Sequence, residues 1–482
     1  MHTGTSEVRT PSPASSSGSS GFVKLPPGGR FIVNEKVIPL PIKMVPTWFE
    51  TKKKEYFQSR GKEILQIKSS LLDSRPLDAS TPEHRSFLIV GMGGVGKSQL
   101  AVRFASLYGA EFDALFWLTA DSEARLTENY SNIAAELGLV GPSDSMTREH
   151  SCETFRTWLG DPVRGAPQSE ETKTLVRWLL VFDNAEDPET IKKFWPPGSH
   201  GSILVTTRNP RLNNNDRPYT GKLSLSGLET ADAALLLRHL ADDEKPNDTQ
   251  TEADAMDIVE WCQGVPLAIE QLGRAIYDDE LTISGFKKLF PYKNALYAYL
   301  HGEKKDGPNL VTSWALDRLY KSQPDTFVLL SLVSMLDPEG VENRTLEPRQ
   351  NTLNSSGSLM TQSEFRGYRN RLSKTSLIHV NRDNQEVRVH RLVQDVTIEV
   401  AVRYGLAATV FRQAVSRIAH QWPFLNRKYV TGKATLVNRW DECRLAYIHI
   451  LRLMEVHAEL KQLSVAELAS FELAELLLEA VQ

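Results

Sequence analysis

The stretch FLIVGMGGVGKSQLAVRF, Phe87 to Phe104, sets four strand-type apolar residues against a glycine-rich loop and then an apolar-periodic segment. Gly91 to Ser98 matches the phosphate-binding pattern G-x-x-x-x-G-K-[ST] in its expected place between a strand and a helix. Glycines let the backbone curl so that successive N–H groups converge on a polyphosphate, and the helix that follows adds the positive end of its dipole. Gly91, Gly93, Gly94, Val95, Gly96, Lys97, Ser98 and Gln99 therefore form the expected cradle, with Lys97 reaching the β/γ-phosphates and Ser98 a Mg²⁺ ion. Leu100, Phe104 and Tyr108 recur at four-residue spacing beside Ala101 and Ala105, which gives the helix a packed face and the loop an anchor.

A phosphate loop needs a metal-holding acid at the end of a neighbouring strand, and WLLVFDNAED (Trp178 to Asp187) places Asp183 after five buried-type residues. Asn184 follows where a second acid would polarise an attacking water, and an amide is no base. Hydrolysis is then expected to be slow or to use another group, with Glu186 the nearest acid in sequence. A third strand, SILVTTRNP, ends on Thr206, Thr207 and Arg208, so a hydroxyl pair and a guanidinium reach the same sheet edge, where ligands bind in open α/β sheets. Arg208 is expected to sense a γ-phosphate.

These motifs sit in a chain of 482 residues, 41% hydrophobic and 24% charged, an ordinary globular composition with room for about three domains. A net charge of −4 gives no global attraction to nucleic acid or anionic membrane. Cys152, Cys262 and Cys443 lack metal-like spacing and read as reduced thiols of an intracellular protein. No secretory signal and no apolar run long enough to span a membrane is evident, so the expected location is cytoplasmic. FLIV, ALFWL (Ala114 to Leu118), WLLVF and SILVT alternate with helical patterns, which predicts a parallel sheet with helices on both faces. Beyond Glu229 the pattern is helical except for strand-like pieces at Ser376 to Val380 and Val387 to His390.

The order of Walker A, FDALFWLTA (Phe112 to Ala120), Walker B, TTR and WCQGVPLAIEQLG (Trp261 to Gly273) resembles the NB-ARC nucleotide-binding module of the STAND class of signal-transducing ATPases, over roughly Phe57 to Gln394. The resemblance implies ADP or ATP with Mg²⁺ as ligand, Pro266 and Leu267 of GVPLA at the adenine, and Arg60 of YFQSRGKE near the base, with Ser59 where glycine is usual. It also implies a winged-helix region in which Val389, His390 and Arg391 occupy the Met-His-Asp position. His390 would approach the β-phosphate, and Arg391 replaces the acid.

The expected organisation is a disordered tail and unassigned segment over 1–50, a P-loop nucleotide domain over 51–225, a helical lid over 226–305, a winged helix over 306–405 and further helices over 406–482. The first fifty residues, which open on the low-complexity stretch Met1 to Gly21, are expected to be too short for a death-type or enzyme-like effector domain. SVAELASFELAELLLEAVQ reads as a Ser464/Glu467 capping box opening a helix whose apolar face, Leu468, Phe471, Leu473, Leu476 and Leu477, needs a cover: a partner, missing repeats or the protein's own body. The implied function is a nucleotide-dependent signalling switch of the fungal NOD-like receptor type, with slow hydrolysis, opening on exchange and self-association or pairing with a related full-length receptor. An adaptor that holds nucleotide without turnover, and a nucleotide-controlled DNA-binding regulator, are the alternatives. No nucleic acid is expected, because HRLVQDVTIEVAVRY from His390 carries a packing stripe and the basic triplet Lys52 to Lys54 reads as a solvated face.

Overall fold

The computed structural model describes residues 29–33, 36–40, 42–45, 49, 60–72, 84–140, 148–164, 174–198, 201–214, 219–243, 249–291, 308–338, 340–348, 360–375, 377–381, 386–422, 440–466, 468 and 471–480. The tail Met1 to Gly21, Lys52 to Lys54 and Glu467 lie outside them. A six-stranded sheet forms the central layer, from β1 (Ile42–Met44), β2 (Arg85–Val90), β3 (Ala114–Thr119), β4 (Trp178–Ala185), β5 (Ser202–Thr207) and β6 (Gly221–Ser224). The spatial order is β6-β2-β5-β4-β3-β1 and every pairing is parallel.

Alternate residues of the four inner strands enter two different cores. Phe87, Ile89, Trp117 and Val181 face α1 (Gly61–Leu71) and α2 (Lys97–Tyr108). Leu88, Phe116, Leu180 and Val205 face α3 (Glu123–Glu136), α4 (Arg148–Gly160) and α5 (Pro188–Phe194). With both faces covered, the strands must be apolar throughout, which is why they stood out as continuous runs. The two edge strands did not: β6 alternates half-buried and exposed residues, and β1 is three residues inside a proline-broken segment left unassigned above. The Ile42–Met44 strand pairs with β3 and gives part of that segment a structural role.

A helical body follows, with α6 (Thr230–Leu240), α7 (Thr249–Trp261), α8 (Pro266–Asp278) and α9 (Ile283–Leu289) around Leu237, Ile258, Ile269 and Ile276. The next helix, α10 (Pro308–Ser322), gives Val311 and Trp314 to this core and Leu316 and Leu319 to the following one, so two bodies share it. The third body contains α11 (Pro324–Ser334), β7 (Val341–Glu342), α12 (Asn343–Leu346), α13 (Gln362–Lys374), β8 (Ile378–Asn381), β9 (Glu386–Val389) and α14 (Arg391–Arg403). Its small antiparallel sheet runs β7-β9-β8. The third core does not stop at 405: it runs from Leu316 to Leu476 and takes in α15 (Ala407–Gln421), α16 (Trp440–Gln462) and α17 (Phe471–Ala480).

α14 buries Val393, Val396, Ile398 and Val400 in that core, so the helix after His390 is a packing element. The capping-box reading at Ser464 is corrected. Ser464 has φ of 59°, a left-handed conformation that an N-cap does not use, and the Val465 N–H donates to Leu460 O at 3.0 Å. Ser464 therefore ends α16, Val465, Ala466 and Leu468 are not helical, and the next described helix is Phe471–Ala480. Leu468, Leu473 and Leu476 are buried on the protein's own body, whereas Phe471 is 77% exposed. Among the described residues no helix is long and apolar enough to cross a membrane.

Candidate functional site

The loop is built where β2 ends between two neighbours. The Gly91 N–H donates to Thr207 O at 3.1 Å, and a Cβ on Gly91 would stand 2.7 Å from Leu225 O, so only glycine fits between β5 and the chain leaving β6. Gly94, with φ of +77°, makes the turn that an L side chain would strain. Val95 is buried beneath the loop and Gly96 opens α2. Lys97 is 8% exposed, and its Nζ donates to Gly91 O and Met92 O, both at 2.9 Å. Burial pushes its pKa down to about 8 against the pull of Asp183, while Arg208 adds to the depression and Glu186 opposes it.

Asp183 collects the hydroxyls around it. Ser98 Oγ donates to Asp183 Oδ1 at 2.7 Å, and Thr206 Oγ1 donates to the same oxygen at 2.6 Å while accepting the Asn184 N–H at 2.8 Å. Asn184 sits in a register shift of β4 with φ of 61°, a conformation Asn tolerates better than most residues. Of the two threonines, Thr206 and not Thr207 joins the metal-type cluster. The Thr207 hydroxyl donates to Ala185 O and accepts the Asn209 N–H at 2.8 Å, which fixes the loop after β5 instead. Strand alternation guarantees that only one of the pair can face Asp183, but choosing which requires the β4–β5 register. Arg208 Nε donates to Glu186 Oε1 at 3.0 Å and its Nη1 to Asp395 of α14 at 3.5 Å. Glu186, the acid nearest to serve as a base, is thus held by the arginine.

The second and third bodies close over the loop. Pro266 occupies the first turn of α8, where its missing N–H costs nothing. The Leu267 N–H faces Gly94 O at 3.4 Å, and Leu267 Cβ lies 2.9 Å from where a Cβ on Gly94 would be. Leu392 of α14 meets Gly93 from the other side, 3.6 Å from the corresponding position. His390 is exposed and caps α14, its Nδ1 accepting the Leu392 N–H at 3.1 Å. Arg60 is buried, with Nη2 on Ser226 O at 2.7 Å and Nη1 on Glu63 at 3.0 Å, beside the segment that abuts Gly91.

A buried ionic joint beside the site escaped the sequence reading. Asp121, just after β3, forms an ion pair with Arg125 Nε at 3.2 Å and accepts from Arg391 Nη1 at 2.6 Å. Arg125 also pairs with Asp337 after α11, whose backbone N–H donates to His449 Nδ1 of α16 at 3.2 Å. Arg391 Nη2 continues to Glu455 on α16 at 3.6 Å, and Glu455 pairs with Arg452 at 3.0 Å. Arg391, which stands where the resembling family has an acid, therefore ties the end of β3 to α16.

Residues 67–246 match the NB-ARC domain, and residues 314–400 match a domain of unknown function, DUF7779, that covers most of α10 to α14. Residues 67–246 therefore form an NB-ARC domain. A nucleotide-binding leucine-rich repeat (NLR)-like protein of Hyaloscypha variabilis is 24% identical over 308 residues, 56% of this chain and 30% of that protein. Probable disease resistance RPP8-like protein 4 of Arabidopsis thaliana is 26% identical over 195 residues, 38% of this chain and 20% of that one. The chain thus spans less than a third of these two relatives. A crystal structure of a STAND protein with a tetratricopeptide repeat sensor from Pyrococcus horikoshii covers 89% of this chain and 59% of its own, at 14% identity and a TM-score of 0.43.

Proposed function

We propose that this chain is a nucleotide-dependent signalling switch that holds ADP or ATP with Mg²⁺ at the joint of its three bodies. The observation that carries this reading is the double cover on one loop: Leu267 from the helical body on Gly94, and Leu392 from the third body on Gly93. A loop shaped for a polyphosphate that also seats two other bodies couples occupancy to their arrangement. The site residues suit the ligand. Gly91 and Gly94 leave the backbone room that a Cβ would fill, and Ser98, Thr206 and Asp183 offer hard oxygen donors of the kind Mg²⁺ takes. Ser98 and Asp183 would hold the metal, which when bound supplies positive charge at the phosphate oxygens. Lys97 would exchange its two carbonyl acceptors for phosphate, and Pro266, Leu267 and Arg60 would line the base.

Arg208 would answer the γ-phosphate by leaving Glu186 and Asp395, and losing Asp395 loosens the third body. Slow turnover follows from Asn184 and from Glu186 being held by Arg208. The output in this reading is immune-like or cell-death signalling of the fungal NLR type from the cytoplasm, with self-association on opening. The capture of Glu186 also favours a second reading, an adaptor that keeps its nucleotide without cycling. Nucleotide retained by the purified protein and lost in Lys97→Ala separates both readings from a protein that uses the fold without the ligand.

A further inference from the structure

The third body carries a helix whose outer face the nucleotide site does not use. A helix before β7, the α12–α13 pair between β7 and β8, and a β8–β9 hairpin closing the sheet in the order β7-β9-β8 make up the connectivity of a winged helix. In such helix pairs the second helix is the one laid in a duplex groove. That position belongs to α13, not to the helix after His390 on which the sequence reading judged nucleic acid. α13 turns Phe365, Tyr368 and Leu372 into the core and exposes Ser363, Arg366, Asn370, Arg371 and Ser373.

The charge on this helix is mostly positive, and its neighbours bring Glu347 to Gln362 and Asp325 to the Tyr368 hydroxyl, both at 3.4 Å, with no ion pair to its arginines among the described residues. The helix QSEFRGYRNRLSK holds Arg366, Arg369, Arg371 and Lys374 against a single acid, Glu364. Glu364 is engaged in the capping box, accepting the Thr361 N–H at 2.7 Å. Among the described residues Arg366, Arg369 and Arg371 form no ion pair; the Arg371 guanidinium lies 5.4 Å from the centre of the Tyr368 ring. We propose that α13 is a contact surface for duplex nucleic acid, with the arginines on phosphates and Arg366 and Asn370 facing base edges. The composition favours DNA over a protein partner. No large apolar side chain is exposed on α13 to anchor a protein interface, whereas Arg, Asn and Ser are the residues that meet phosphates and base edges. A helix about 10–12 Å across and about 20 Å long fits a major groove about 12 Å wide.

The test uses the full chain and a fluorescent mixed-sequence DNA duplex of about two helical turns, with anisotropy followed at rising salt. Saturable binding at low salt is expected. Arg366→Ala with Arg371→Ala should weaken it by about tenfold or more and lower the slope of log affinity against log salt by about 2. Lys192→Ala with Lys193→Ala, the same charge change on α5, should leave it unchanged. Absence of duplex binding at low salt, or equal binding by the α13 variant, overturns the proposal. So does polyglutamate competing as well as unlabelled duplex, which would mark an acidic-protein surface. Both α13 positions are exposed, so an unchanged melting curve and nucleotide content keep this result separate from the nucleotide reading.

Discussion

Replacing Asp121 by Asn tests whether the buried joint holds the three bodies together. The substitution keeps the shape but leaves Arg125 and Arg391 facing each other beside Asp337 and Glu455. Removing one side of a buried pair costs about 3–5 kcal/mol. Arg391 is 21% exposed at its side chain and Asp121 only 4%, so solvent relieves part of the charge and the lower end, about 3 kcal/mol, is expected. If that strain is released by opening the joint, the open state gains roughly a hundredfold in population. Hydrogen exchange on the full chain reads this directly: amides after β3, at the end of α11 and around His449 should exchange roughly a hundredfold faster, while the β2 and β5 amides stay protected. Arg391→Gln should act in the same direction, and the double variant should fall short of the sum by about 1–3 kcal/mol. Additive single effects with unchanged exchange at α16 would refute the claim that these charges hold the bodies together.

Two further expectations concern pH. Lys97 is depressed to about 8 chiefly by burial, and a phosphate beside it favours the charged form, so the ligand-free lysine must take up a proton to bind above that pH. ADP affinity should therefore be flat below pH 8 and fall about tenfold per pH unit above it, by titration calorimetry, and Lys97→Arg should lose that dependence. His449 is held down to about 4 by burial and then by Arg125, against an ordinary 6.5. Because the unfolded chain takes the proton first, stability present above pH 6.5 is lost as pH falls toward 4, by about 3 kcal/mol in full. Thermal melts from pH 7 to 4 should show this loss, reduced in His449→Gln.

Much of the nucleotide domain was legible because burial on both faces writes strands as unbroken apolar runs, and because Gly91 to Ser98 and Asp183 carry chemistry in local sequence. The edges β1 and β6 were not, since short strands paired on one side need few apolar residues. The choice of Thr206 over Thr207, and the entry of Asp395 and Leu392 into the site, came through register and tertiary packing, which no local spacing encodes. The Asp121, Arg125 and Arg391 joint was equally hidden, because on the sequence its members are ordinary charged residues far apart. At Ser464 the pattern Ser-x-x-Glu was present, but the backbone there ends one helix rather than starting the next. Which helix of the third body is presented beside the small sheet is decided by that sheet's order, and not by the charge of any one segment.

The most direct test of the central claim is the nucleotide content of the purified protein. The full chain and Lys97→Ala are denatured, and the released bases are identified by chromatography. The account predicts close to one adenine nucleotide per wild-type chain and a large loss in Lys97→Ala. A wild-type protein that releases none and also fails to bind added ATP with Mg²⁺ would contradict it.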